Sequence, residues 1–216
     1  MAQVFSRPAV LVVKLVLLAG AAAVGVVIGI AAWRQSPRNA PYLPVPQPIP
    51  FSHKHHVGDD GIDCRYCHTS VEKSSFAGMP TTEICLTCHS QLYADAPMLA
   101  PLHDSARTGK PVAWTRVYDL PDFVYFDHGI HVAKGVACVE CHGRLDEMPL
   151  TWRVTPLEMQ WCLSCHRDPA PHLRRRQDVF SMNATQPLGP IDAHALMKRY
   201  RIQSIARLTD CSTCHR

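Results

Sequence analysis

The ten cysteines of this 216-residue chain fall as five Cys-x-x-Cys pairs, and a histidine follows every pair directly. The five signatures are Cys64, Cys67 and His68; Cys85, Cys88 and His89; Cys138, Cys141 and His142; Cys162, Cys165 and His166; and Cys211, Cys214 and His215, with no cysteine left over. This is the attachment pattern of haem c. Two thiols form thioethers to the porphyrin vinyl groups, and the adjacent imidazole becomes the proximal iron ligand. The two intervening residues let one turn of chain present both sulfurs to one edge of the macrocycle while the histidine swings beneath the iron. Structural zinc and disulfides also use such pairs, but neither requires a histidine after each, and zinc would take the pairs two at a time.

Five macrocycles change what can fold here. Aromatic residues make up 7% of the chain and prolines number 18, so a core of side chains alone would be thin. The expected fold is mainly helical and irregular: short helices and long loops packed round five haems, with little sheet and a further helix near 192–199. The net charge of +4 is mild and the basic residues are scattered, which excludes a nucleic-acid groove. Arg174, Arg175 and Arg176 are read either as partners of haem propionates or of an acidic protein, or as a solvated basic face.

Residues 15–33 contain no charge and span roughly 30 Å as a helix, enough to cross a bilayer core. A cleaved signal peptide is the rival reading, with Ala21, Ala22 and Ala23 as a small-residue site. The apolar run continues ten residues past that point, which favours an anchor. Gly25 and Gly29 form a small-xxx-small pair at which another helix could approach. The flanking charges, Arg7 and Lys14 before and Arg34 and Arg38 after, do not orient the segment. Haem attachment does, because thioethers are made outside the cytoplasm in prokaryotes, which places the body of the protein in the periplasm. The chain therefore divides into a cytoplasmic stretch (1–14), an anchor (15–33), a Pro-rich linker (34–50) read as a strap or passive tether, and a haem domain (51–216).

Within the haem domain Phe51-Ser-His53-Lys-His55-His56 precedes the first signature, and Phe126-Asp-His128-Gly-Ile-His131 precedes the third, 75 residues later. The first and third signatures lie 74 apart and the second and fourth 77 apart, as in an internal repeat of 51–125 and 126–180 with the fifth haem in 181–216. Histidines spaced by three share one face of a helical turn and can reach two different haems. His53, His56, His128 and His131 are therefore the leading second axial ligands, while His55, His103 and His194 read as solvated side chains. One haem remains without a partner. Met148, Met159 and His172 are its candidates, with Met148 put forward; a methionine there would raise the potential relative to histidine.

The paired histidine motif resembles that of small cytochromes of the c3 type, which implies that His53 serves the first haem and His128 the third. Over nearly its whole length, and in phrases such as CRYCHTSVEKS at 64–74 and QWCLSCHR at 160–167, the chain resembles the pentahaem cytochrome subunit of alternative complex III, a bacterial quinol:electron acceptor oxidoreductase. That resemblance implies an electron-transfer subunit, not an enzyme on its own, in the cytoplasmic membrane. Its implied partners are polytopic quinol-oxidising membrane subunits, an iron–sulfur subunit, other cytochrome c subunits, membrane lipid and a downstream electron acceptor. A pentahaem nitrite reductase would replace the histidine of one signature by lysine, and all five are histidine here. The remaining alternative is a free-standing membrane cytochrome linking the quinol pool to periplasmic reductases.

Overall fold

The computed structural model describes residues 6–35, 41–183 and 190–215. It divides into two compact units, Met1–Ala40 and Pro41–Arg216. In the first, helix α1 runs from Arg7–Arg34, 28 residues, with a proline in its first turn and Arg34 in its last. At 1.5 Å per residue it measures about 42 Å, and none of its residues is buried within the protein. It begins earlier than the uncharged segment, because Lys14 can carry its ammonium along the helix towards a polar boundary. By length and composition α1 is able to cross a membrane.

The second unit is built from short pieces: α2 (Cys64–Cys67), α3 (Thr82–His89), α4 (Ala100–Thr108), α5 (His128–Ala133), α6 (Cys138–His142), α7 (Met159–Arg167), α8 (Pro190–Arg199), α9 (Ile205–Leu208) and α10 (Cys211–Cys214). Every signature lies in one of these turns. Asp63 caps α2 by accepting from the Arg65 amide, and Asp210 caps α10 by accepting from the Ser212 amide. Helices this short are not stable alone, so tertiary packing and attachment must hold them. Among the described residues there is no strand; the chain is tied by isolated antiparallel bridges, Pro44 with Trp152, Val124 with His215 and Val136 with Leu173.

Among the described residues side chains alone make two small clusters. Ile49, Leu99 and Leu102 pack with Cys85, Leu86 and Trp114; Leu173, Leu196 and Tyr200 pack with Val136, Met197 and Ile202. The described part of the Pro-rich stretch is no loose tether. The Tyr42 amide donates to the Arg153 carbonyl at 2.6 Å and the Val45 amide to Thr151 at 3.3 Å, while the Gln47 side chain donates to and accepts from the Thr115 backbone at 2.8 and 2.9 Å. Val45 and Ile49 are buried. Residues 36–40 of the expected linker lie outside the described residues.

Candidate haem-binding and electron-transfer site

A histidine binds metal through whichever ring nitrogen keeps its lone pair, and a hydrogen bond from the other fixes the choice. In seven signature or paired histidines Nδ1 faces a backbone carbonyl. His56 meets Ser52 O at 2.9 Å, His68 meets Gly78 O at 2.7 Å, His89 meets Leu92 O at 3.0 Å and His128 meets Ser75 O at 2.8 Å. His131 meets Asp127 O at 2.7 Å, His166 meets Leu208 O at 2.8 Å and His215 meets Phe123 O at 3.3 Å. A carbonyl only accepts, so each Nδ1 carries the proton and donates it, which leaves Nε2 as a free donor to iron. His53 Nδ1 instead meets Thr151 Oγ1 at 2.9 Å.

The rings are also paired. Two imidazoles bound from opposite sides of one metal ion, each at about 2.0–2.1 Å, hold their ring centres about 6 Å apart. His56 and His89 stand at 6.1 Å, His128 and His142 at 6.4 Å, and His131 and His166 at 6.3 Å. His53 neighbours His68. Burial first, then the charges of His68 and His56, holds its pKa down to about 4. His142 is held down to about 3, again by burial first and then by His128, His68 and His53. Burial also lowers His131, helped by His166 and His128. Imidazoles kept neutral in this way are competent ligands.

The two paired-histidine segments are built alike. Phe51 stacks on His56 at 4.5 Å and meets His53 edge-on at 4.9 Å; Phe126 stacks on His131 at 4.5 Å and meets His128 edge-on at 4.7 Å. In both, the second histidine donates Nδ1 to the carbonyl four residues back, which locks its ring to the turn. The phenylalanine thus orients two imidazoles that point at different signatures.

No two of the ten sulfurs are joined in a disulfide, so every one is left for attachment. Burial pushes the thiols of Cys138 and Cys141 up to about 12 and that of Cys165 to about 11. Tyr118 supports the third signature: its hydroxyl donates to Cys141 O at 2.9 Å and accepts from the Val154 amide at 3.1 Å, and its ring meets His142 edge-on at 4.4 Å.

Two signature-free histidines gain interest. His172 Nδ1 lies 3.0 Å from Glu140 Oε2, and Glu140 Oε1 lies 2.6 Å from Arg174 Nη2, so Nε2 of His172 is left as the lone-pair nitrogen. His103, read from sequence as solvated, instead has a buried Nε2 with no hydrogen-bond partner. It sits on α4 between buried Leu102 and Ser105, a position a longer helical window would have placed inward. His55 is exposed beside Asp59 and Asp60, and His194 is exposed. Met148 is only 2% exposed and its methyl lies beside Gly143, in the packing of the third signature. Met159 is exposed at the start of α7. The ring beside His215 is that of Phe123, at 6.0 Å. Arg174 is buried on Glu140, while Arg175 pairs with Asp178 and Arg176 lies over the Tyr200 ring at 5.4 Å, so only part of the triplet is a solvated face.

Residues 49–108 and 124–216 match the model of the family described as cytochrome c7 and related cytochrome c. The chain belongs to that family. It is a multihaem cytochrome c with five c-type attachment sites. A stretch of 97 residues is 42% identical to the multiheme cytochrome c subunit of a menaquinone reductase from Nitratidesulfovibrio vulgaris Hildenborough. That stretch is 44% of this chain and 45% of the relative, so the chain spans less than half the length of the protein it matches. The cytochrome c7 family is wider than the alternative complex III subunit that the sequence phrases resemble, and the relative found is of a different complex.

Proposed function

We propose that this cytochrome is the membrane-anchored electron-transfer subunit of a quinone-linked oxidoreductase of the alternative complex III kind. The observation that carries the reading is the pairing of His56, His128 and His131 with signature histidines at 6.1 to 6.4 Å, with His53 beside His68. Imidazoles on both sides would leave four of the irons no position for a substrate, which suits a relay. When bound, the haem supplies an iron that takes up and releases one electron. The ten cysteines would attach the haems, His68, His89, His142, His166 and His215 would ligate them from one side, and His53, His56, His128 and His131 would close the other face of four. His172 and Met148 both lie beside the third signature, at Glu140 and Gly143, whereas the ring beside His215 of the fifth is that of Phe123.

In this reading α1 is an uncleaved anchor in the cytoplasmic membrane, with Pro41–Arg216 in the periplasm and the two paired-histidine segments descended from one duplicated unit. Its partners are polytopic quinone-reactive subunits, an iron–sulfur subunit, other c cytochromes and a periplasmic or oxidase acceptor. Mild detergent extraction followed by size analysis and a pyridine haemochrome assay tests it. Migration with an iron–sulfur protein and polytopic subunits, at five c haems per copy of this chain plus those of any other cytochrome, is the expected result. A small cytochrome migrating alone would sink the complex reading and favour a free-standing membrane cytochrome. The name of the relative favours a second direction of flow, from periplasmic donor to quinone. Supplying the isolated assembly with quinol, or with a reduced periplasmic cytochrome and quinone, and following the haem bands decides between them.

A further inference from the structure

We infer that the five attachment sites stand in single file in the order second, first, third, fourth, fifth, so that the ends of the relay are the signatures at Cys85 and Cys211. The chain order of the signatures is therefore not the order of electron passage. This rests on haem attachment alone and holds whichever assembly the chain serves.

Each adjacency has its own contacts. The second and first sites meet where the Tyr66 hydroxyl, inside the first signature, lies 2.8 Å from Thr87 Oγ1, inside the second. His53 and His56, which face these two sites, share one turn, with Phe51 against both rings. The first and third sites meet along the loop that leaves the first signature: His128 Nδ1 donates to Ser75 O, and the Gly129 amide donates to Ser74 O at 3.0 Å. Arg65 of the first signature covers the Phe180 ring at 4.5 Å, next to Val179, whose carbonyl accepts from the Cys138 amide at 3.0 Å.

The third and fourth sites share the turn of His128 and His131, whose rings stand 6.4 Å from His142 and 6.3 Å from His166. The fourth and fifth sites meet through α7 packed on α9 and through His166 Nδ1 and Leu208 O at 2.8 Å. The fifth signature is further held by the second paired-histidine segment, with the Tyr125 amide donating to Cys214 O at 2.8 Å.

Exposure tells the same order. Cys88 and Cys211 are the exposed attachment cysteines, and they belong to the second and fifth sites; the other eight are partly buried. A donor can reach one end and an acceptor the other, while the third site is the most enclosed. The two similarly built segments are joined head to head, through the first site of each.

Two measurements on the full chain carrying its haems test the order. Anomalous scattering at the iron edge, in crystals or in an assembly of known structure, gives the iron positions directly. The iron of the first site should lie between those of the second and third, and that of the fourth between the third and fifth. An order following the sequence, with the second iron next to the third, overturns the inference. In parallel, His53→Met should raise the potential of the first haem and, through charge interaction, shift the apparent potentials of the second and third while leaving the fourth and fifth in place. A shift of the fourth or fifth with the third unmoved also overturns it. If His53→Met does not retain five haems, the iron positions of the unaltered chain decide alone.

Discussion

At the scale of single residues, the chemistry is governed by which imidazole nitrogen is free and whether a proton competes for it. His53 and His142 have an ordinary value of 6.5 lowered to about 4 and about 3, mainly by burial. The unfolded chain takes protons on these rings as pH falls below 6.5, and the folded chain does not, so the unfolded state binds more protons and folding stability falls with decreasing pH. The loss runs from about 6.5 down to about 4 for His53 and 3 for His142. The denaturant midpoint, followed by helix content, should therefore fall as the pH is lowered from 6.5 towards 4, and a midpoint independent of pH across that window would count against the burial of these rings. Tyr118→Phe removes one hydroxyl that serves both Cys141 and Val154. A cost of about 1–3 kcal/mol is expected from the Val154 amide left without its partner. The midpoint of denaturant unfolding should fall, and the potential of the third haem should move more than the other four. The attachment cysteines and the histidines after them are legible in sequence because they are neighbours in the chain. The pairing of His56 with His89, and the buried Nε2 of His103, are not, because they depend on how separate turns meet.

At the scale of elements, the helices are short enough that their ends decide their fate. Gly135 follows α5 with φ +82°, and a Cβ there would meet Arg174 O and the Tyr200 ring, each at 2.6 Å. Gly135→Ala should cost about 1–2 kcal/mol for handedness alone and more for the collision. The predicted readout is a lower thermal midpoint with a loosened cluster of Leu173, Leu196 and Tyr200, seen as faster amide exchange in α8. An unchanged midpoint would count against the packing of that turn. α1 could be read from its uncharged run, although its start at Arg7 could not, since Lys14 masks seven further residues. The helix expected near 192–199 is α8. The docking of residues 41–50 leaves no periodic pattern, because backbone groups of Tyr42 and Val45 make it.

At the scale of the whole molecule, fourteen apolar residues are buried among those described, too few to hold a unit of this length by side chains alone. The macrocycles must supply the remainder, so attachment and folding are one process. Production of the chain in a compartment without haem attachment should yield a protein with little stable helix by circular dichroism and rapid proteolysis between the signatures. A compact, protease-resistant apoprotein would contradict this. The general architecture was legible for the same reason: five signatures dictate what fills the centre, whereas the spatial order of the sites was hidden in long-range contacts. The seven imidazoles steered by peptide carbonyls carry a consequence for how such a chain can change over time. Every residue owns a carbonyl, so exchanging the side chains at Ser52, Leu92 or Leu208 leaves the acceptor where it was. Substitution is then tolerated wherever the path of the chain is kept, while insertion or deletion of even one residue in these loops turns a ring away from its iron. Lineages of this protein should drift freely in spelling and hardly at all in spacing.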